Sequence, residues 1–231
     1  MSSSTVATSR ANRPHDHVGA ETSQEKYEIS QITDHLYLSG CAPINDGNLR
    51  ALGITCAINC IRGIEHKLDH AIQYLSIPLE DEEGERLTAY IDTVVGAIDR
   101  HRRDGGRTLV YCGLGISRSA SFCIAYLMRH ERRTLHDAYK AVQTRRSIVC
   151  PNVGFFRQLL DFEQKLYGRK TVKIIEPTPG VFVADVVWAE IYEEVLAKVN
   201  GQQQHANVDL PQKTAGVGVG AAPAGGDLVA L

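Results

Sequence analysis

The sequence contains no apolar run of the roughly 20 residues that a membrane-spanning helix needs, so we expect no membrane span. Its charges nearly cancel, to a formal net charge of −2 at pH 7, and give no reason to expect nucleic acid or an anionic membrane as a partner. Its six cysteines follow no paired framework, the first residues do not resemble a signal peptide, and Ser2 replaces the glycine that myristoylation requires. We therefore expect a reducing setting inside the cell, cytoplasmic or also nuclear.

Both ends of the chain have little that could form a core. Residues 1–25 are rich in Ser, Thr, Asn and His without an apolar period, and residues 200–231 are rich in Gly, Ala and Gln, compositions typical of disordered tails. Residues 26–170 are long enough to form one domain with a buried core. Residues 171–199 predict an extension whose apolar side packs on that domain. Its expected elements are a strand over 171–175, a turn over 177–180 and a helix over 183–199.

Strand and helix patterns alternate through the middle of the chain. The apolar run Ile54–Asn59 predicts a buried central strand, and Ile72–Ile77 predicts another that ends at Pro78. Apolar residues at helical spacing over 87–98 predict a helix, and Thr134 and Asn152 are expected to cap two more. The alternation predicts an α/β fold with a central, mostly parallel sheet flanked by helices.

The stretch Thr108–Ala120 combines a strand, a glycine-containing loop and a helix expected to start near Ile116. The loop N–H groups and the positive end of the helix dipole would point at one anion, and Arg118 adds a planar charged fork. The pattern predicts a cup for a phosphoryl group, with the sulfur of Cys112 at its floor. The expected phosphate-binding residues are Gly113, Leu114, Gly115, Ile116, Ser117 and Arg118.

The sulfur at this position predicts nucleophilic chemistry. A helix N-terminus and a nearby arginine favour the thiolate form of a cysteine, and a thiolate beneath a phosphoryl group is placed for in-line attack on phosphorus. The product would be a phosphocysteine, which water then hydrolyses. Ser119 is expected to stabilise the sulfur of Cys112 as it leaves in this second step.

The run Cys112–Ser119 resembles the signature loop of the protein tyrosine phosphatase superfamily. The segment Ser117–Met128 is similar to the atypical dual-specificity phosphatases, in particular the group containing dual-specificity phosphatases 14, 18 and 21, and the similarity covers roughly residues 27–192. It implies the three-layer fold of cysteine phosphatases, an extension lying back on the domain, and no metal or organic cofactor. It also implies hydrolysis of phosphotyrosine and phosphoserine or phosphothreonine in protein substrates, with mitogen-activated protein kinases as candidates.

The resemblance gives roles to two further positions. In the acidic run 80–85, Asp81 falls where the family keeps its general acid, with Glu82 and Glu83 as alternatives. Tyr111 stands where the family usually has a histidine that shapes the loop. The substitution implies a nucleophile that is less strongly activated, and an enzyme that is weaker or works at higher pH.

Other functions remain open at this point. A catalytically weak or dead phosphoprotein-binding module is conceivable because of Tyr111. A phosphoinositide phosphatase would favour lysines among the variable loop positions, which are uncharged here, and a rhodanese-like sulfur carrier would not explain Ser119 or the acidic run.

A zinc site is disfavoured because the gap between the cysteine pair and the histidine pair is too short for a zinc finger. These four residues are Cys56, Cys60, His66 and His70. The sequence does not indicate an oligomeric state.

Overall fold

The computed structural model describes residues 27–192. The predicted tails, 1–25 and 200–231, lie outside the described residues, as does the end of the helix predicted over 183–199. Within the described part of the chain, no helix is long and apolar enough to cross a bilayer.

Five strands form the central sheet in the order β1-β2-β5-β3-β4. Strand β1 pairs antiparallel with β2, and every other pairing is parallel. The three inner strands are fully buried, as the apolar runs of β3 and β5 predict. The predicted α/β class with a mostly parallel sheet is therefore confirmed. The strands are β1 (Ile29–Gln31), β2 (Leu36–Ser39), β3 (Cys56–Asn59), β4 (Gln73–Ser76) and β5 (Thr108–Tyr111).

Helices pack around this sheet, and one of them is central. Helix α3 contacts α2, α4, α5 and strands β2 and β5, and it is buried along its whole length from Ser119 to Met128, which explains why it is apolar on all sides. The predicted caps are present, because the side chains of Thr134 and Asn152 each accept an N–H from three residues further on. The helices are α1 (Asp46–Ala51), α2 (Thr88–Arg103), α3 (Arg118–His130), α4 (Leu135–Arg145) and α5 (Val153–Tyr167).

The carboxyl ends of the inner strands lie level with one another. Tyr111, the last residue of β5, pairs with Ser39 on β2 and with Asn59 on β3. The next residue along each strand therefore emerges at one edge of the sheet, the usual place for a ligand site in α/β folds. For β5 that residue is Cys112.

The extension differs from its prediction. Strand β6 spans Ile174–Thr178, later than the predicted 171–175, and pairs with a second strand, β7 (Val181–Ala184), around a turn at Pro179–Gly180. The following helix begins at Asp185 instead of residue 183. The prediction failed because a short apolar run fits a strand as well as the first turn of a helix. The hairpin packs against α5.

Candidate active site

The loop between β5 and α3 turns tightly against the end of β2. Gly115 has a φ of +70°, and a Cβ at this position would lie 2.5 Å from the carbonyl carbon of Ser39. Only glycine satisfies both constraints. Helix α3 begins at Arg118 and not near Ile116, because residues 112–117 are used to form the loop.

The sulfur of Cys112 lies at the floor of this loop, and the residue is 1% exposed. It accepts hydrogen bonds from the amide of Gly115 at 3.3 Å and from the hydroxyl of Ser119 at 3.1 Å. Two donors aimed at one sulfur stabilise negative charge on it. The structure thus places the hydroxyl of Ser119 beside the sulfur of Cys112, the atom that the sequence analysis expects Ser119 to stabilise.

Arg118 lies over the loop with its side chain 14% exposed. Its Nη1 donates to the carbonyl oxygen of Leu79 at 3.2 Å. Its Nε is buried and has no hydrogen-bond partner among residues 27–192. An unsatisfied guanidinium N–H beside a loop of backbone amides is suited to bind an oxygen of a phosphoryl group.

Asp81 is joined to the same loop. Its Oδ1 accepts from the hydroxyl of Ser117 at 2.6 Å and from the side-chain amide of Asn152 at 2.9 Å. Its Oδ2 lies 3.8 Å from Nε of Arg118. Glu83, one of the two alternatives, pairs with Arg157 at 3.5 Å.

The N-terminal turn of α5 holds the acidic run in place. A Cβ at Gly154 would overlap the carbonyl oxygen of Glu83, so the backbones can approach this closely only with glycine there. The side-chain amide of Gln158 donates to the carbonyl oxygen of Glu85 at 2.8 Å. These contacts, together with the Asn152 bond to Asp81, fix the acidic run relative to the loop.

Arg146 supports the loop from behind, a role that the sequence analysis missed. The residue is fully buried, and its guanidinium donates to the carbonyl oxygens of Leu114 at 2.8 Å and Gly115 at 2.9 Å. The sequence suggested only a charge at the end of α4, as for its neighbour Arg145. No signal in a single sequence distinguishes these two arginines.

Tyr111 points away from the cup. Its hydroxyl lies 3.1 Å from Nδ1 of His66 and donates to the hydroxyl of Tyr74 at 3.4 Å. Tyr74 also accepts a hydrogen bond from the side-chain amide of Asn59 at 2.8 Å. Burial, followed by the bond to Tyr74, raises the pKa of Tyr111 far above its usual value, so the phenol remains protonated.

The four residues considered as zinc ligands are not arranged around a common site. Burial raises the pKa of Cys56 to about 12 and that of Cys60 well above its usual value, whereas a metal ligand must be a thiolate. His66 contacts Tyr111, and His70 is exposed beside Asp69. Among residues 27–192, no three His, Cys, Asp or Glu side chains are grouped so that they could hold a metal ion.

Comparison with known proteins gives consistent matches. The family model described as dual specificity phosphatase, catalytic domain, matches residues 36–165. Human dual specificity protein phosphatase 14 is 43% identical over 159 residues, which are 68% of this chain and 80% of that protein. The Caenorhabditis elegans protein ZK757.2 is 44% identical over 184 residues, 79% of this chain, and the match spans only 62% of that protein's length. The crystal structure of human DUSP28 matches with a TM-score of 0.58 and 32% identity, over 60% of this chain and 94% of that one.

Proposed function

Because the chain belongs to the dual-specificity phosphatase family, we propose that it hydrolyses phosphotyrosine and phosphoserine or phosphothreonine in proteins through a phosphocysteine intermediate. The observation that carries the proposal is the environment of one sulfur. Cys112 accepts hydrogen bonds from Gly115 and Ser119, beneath an arginine, Arg118, that has an unsatisfied donor.

In the first step, the phosphoryl oxygens bind to the loop amides and to the guanidinium of Arg118. The sulfur of Cys112 attacks phosphorus, and the bond between phosphorus and the leaving oxygen breaks as the S–P bond forms. Asp81 supplies a proton to the leaving oxygen, which prevents an alkoxide or phenoxide from building up. The Ser117 and Asn152 bonds hold this carboxyl at the rim of the cup.

In the second step, water attacks the phosphocysteine and inorganic phosphate leaves. Asp81, now ionised, accepts a proton from the attacking water. The S–P bond breaks and its electron pair returns to the sulfur of Cys112. The hydroxyl of Ser119, 3.1 Å from that sulfur, donates to the thiolate as it re-forms.

The family supplies the substrate class, which is phosphorylated proteins. We include mitogen-activated protein kinases among the candidate substrates, on the strength of the family resemblance alone, and place the activity in signalling. We propose a cytoplasmic location, also extending to the nucleus, because a thiolate nucleophile needs a reducing compartment to stay active.

The test is hydrolysis of an aryl phosphate and of doubly phosphorylated peptides by the wild-type protein and by Cys112→Ser. The wild type is expected to release phosphate from both, and the variant to release none while still binding phosphopeptide through the loop amides. Arg118→Lys should be nearly inactive, since an ammonium cannot replace the planar fork. Binding of phosphopeptide without turnover by the wild type would instead identify a phosphoprotein-binding module.

A further inference from the structure

A cleft of about 390 Å³ opens beside the cup, at the small end of the range of about 300–1,000 Å³ that ligand pockets span. One wall consists of Asp81, Ile116 and Ser117, so this cleft is continuous with the proposed phosphate site. The opposite wall is the extension, through Phe182 and Val183 of β7. We call this cleft the side pocket.

The interior of the side pocket is apolar. Phe156 and Val187 form part of its lining and are themselves almost completely buried. Phe182, at the opening, is 48% exposed. A half-exposed aromatic ring at the rim of an apolar pocket offers apolar contact area to a ligand.

The charges around the side pocket are carboxylates. Asp81 and Glu83 line it, and no lysine or arginine among the described residues does. Arg157 lies just outside, where it pairs with Glu83 at 3.5 Å and lies over the ring of Phe182 at 5.4 Å. A second phosphate group in the pocket would therefore be repelled by the two carboxylates, and Arg157 is already paired with one of them.

We propose that the side pocket binds an apolar side chain of the phosphorylated protein substrate, within about three residues of the phosphorylated one. The inference rests on the proposed function and names a feature of its substrates. The side pocket is continuous with the cup. When the phosphorylated residue enters the cup, its neighbours in the substrate therefore lie next to Ser117 and Asp81, which favours a segment of the substrate as the occupant. The apolar lining and the carboxylates select a large uncharged side chain over an acidic or phosphorylated one.

The test uses phosphotyrosine peptides in a neutral background, with leucine, alanine or glutamate placed in turn at each of the positions flanking the phosphotyrosine. At one of these positions, kcat/KM is expected to be at least about tenfold higher for leucine than for alanine, because the leucine side chain loses contact with water. Glutamate at that position should give the lowest value.

Two variants alter the pocket wall without touching the cup. Phe182→Ala removes part of the wall, and Val183→Asp adds a charge to it. Both are expected to bring the leucine-to-alanine ratio close to one, while hydrolysis of a small aryl phosphate stays at the wild-type rate. Val181→Ala is the matched control, because Val181 is exposed on the same hairpin and does not line the pocket; it should keep the full preference.

If the wild-type protein hydrolyses the aryl phosphate but shows no preference for leucine, the inference is overturned and the proposed function is left intact. A preference that survives in both pocket variants also overturns it. If the aryl phosphate is not hydrolysed, the proposed function fails, and affinity of the same peptides for Cys112→Ser, measured by fluorescence anisotropy, still decides the inference. The pocket variants could instead change kcat/KM by the same factor for all peptides, with a wild-type mass in sedimentation that depends on protein concentration. This result would indicate a second copy of the chain as the occupant of the side pocket, and would refute the inference.

Discussion

Nη2 of Arg146 donates a hydrogen bond to the carbonyl oxygen of Leu114 at 2.8 Å. The peptide bond that contains this carbonyl also contains the amide of Gly115, which donates to the sulfur of Cys112. Because carbonyl and N–H point in opposite directions in a trans peptide, Arg146 turns the loop carbonyls outward and the loop N–H groups toward the cup.

We therefore expect Arg146→Lys to impair both folding stability and turnover. Lysine cannot bind two carbonyls with a fixed fork, and the loss of hydrogen bonds from a buried charge costs roughly 2 kcal/mol or more. In thermal unfolding, Tm should fall by about 5 °C or more, and kcat for an aryl phosphate should fall with it. Arg145→Lys, one residue earlier and exposed, is the control. Equal Tm and kcat for the two variants would exclude this role for Arg146.

Replacement of Asp81 tests the general acid. Asp81→Asn should slow hydrolysis of a substrate with a poor leaving group by on the order of 10²–10⁴. The effect should be much smaller for an electron-poor phenol, which leaves without a proton. Glu82→Gln and Glu83→Gln are the matched controls. For each variant kcat/KM is measured with both leaving groups, because kcat/KM reports formation of the phosphocysteine and not its later hydrolysis. An equal loss for both leaving groups in Asp81→Asn would point to a structural role, and a larger effect in either control would move the assignment to that residue.

Features formed by residues adjacent in the sequence could be predicted, whereas contacts between residues far apart in the sequence could not. Strands β3 and β5 could be predicted because each lies in an apolar run, and the residues of the cup could be named because they follow one another from Cys112. The bonds of Arg146 and the network of Tyr111 with His66 and Tyr74 join residues about 30 or more positions apart. Spacing along a single chain does not encode such contacts.

Tyr111 also allows a test of the position before the nucleophile. Tyr111→His should react faster with an alkylating agent at mildly acidic pH and turn over faster there, because a histidine can donate hydrogen bonds that hold the loop in shape. Tyr111→Phe is the control, since it removes only the hydroxyl that contacts His66. It should lose about 1 kcal/mol of stability in urea unfolding without gaining activity. Identical alkylation and turnover in wild type and Tyr111→His would show that this position does not tune the nucleophile.

Two partly buried histidines make stability depend on pH. Burial, followed by the charge of Arg102, lowers the pKa of His35, and burial lowers the pKa of His130 against the opposing effect of Asp99. The folded protein thus binds fewer protons than the unfolded chain once the pH drops below about 6.5. Its stability should decline as the pH falls from there through the lowered pKa values.

Urea unfolding at neutral and mildly acidic pH measures this decline. His130→Gln should reduce the difference in the free energy of unfolding between the two pH values. His70→Gln, at a fully exposed site, should leave this difference unchanged. A difference that is the same in wild type and His130→Gln would mean that other groups cause it.

Detection of the phosphocysteine intermediate tests the proposed mechanism most directly. Asp81→Asn should form it from an electron-poor aryl phosphate at close to the normal rate, because that phenol needs no proton, and should hydrolyse it slowly, because the base for water is missing. Acid quenching followed by mass spectrometry of the peptides is then expected to find one phosphoryl group on Cys112. Steady turnover of the aryl phosphate by Asp81→Asn with no phosphoryl group on Cys112 at any time after mixing would contradict the mechanism.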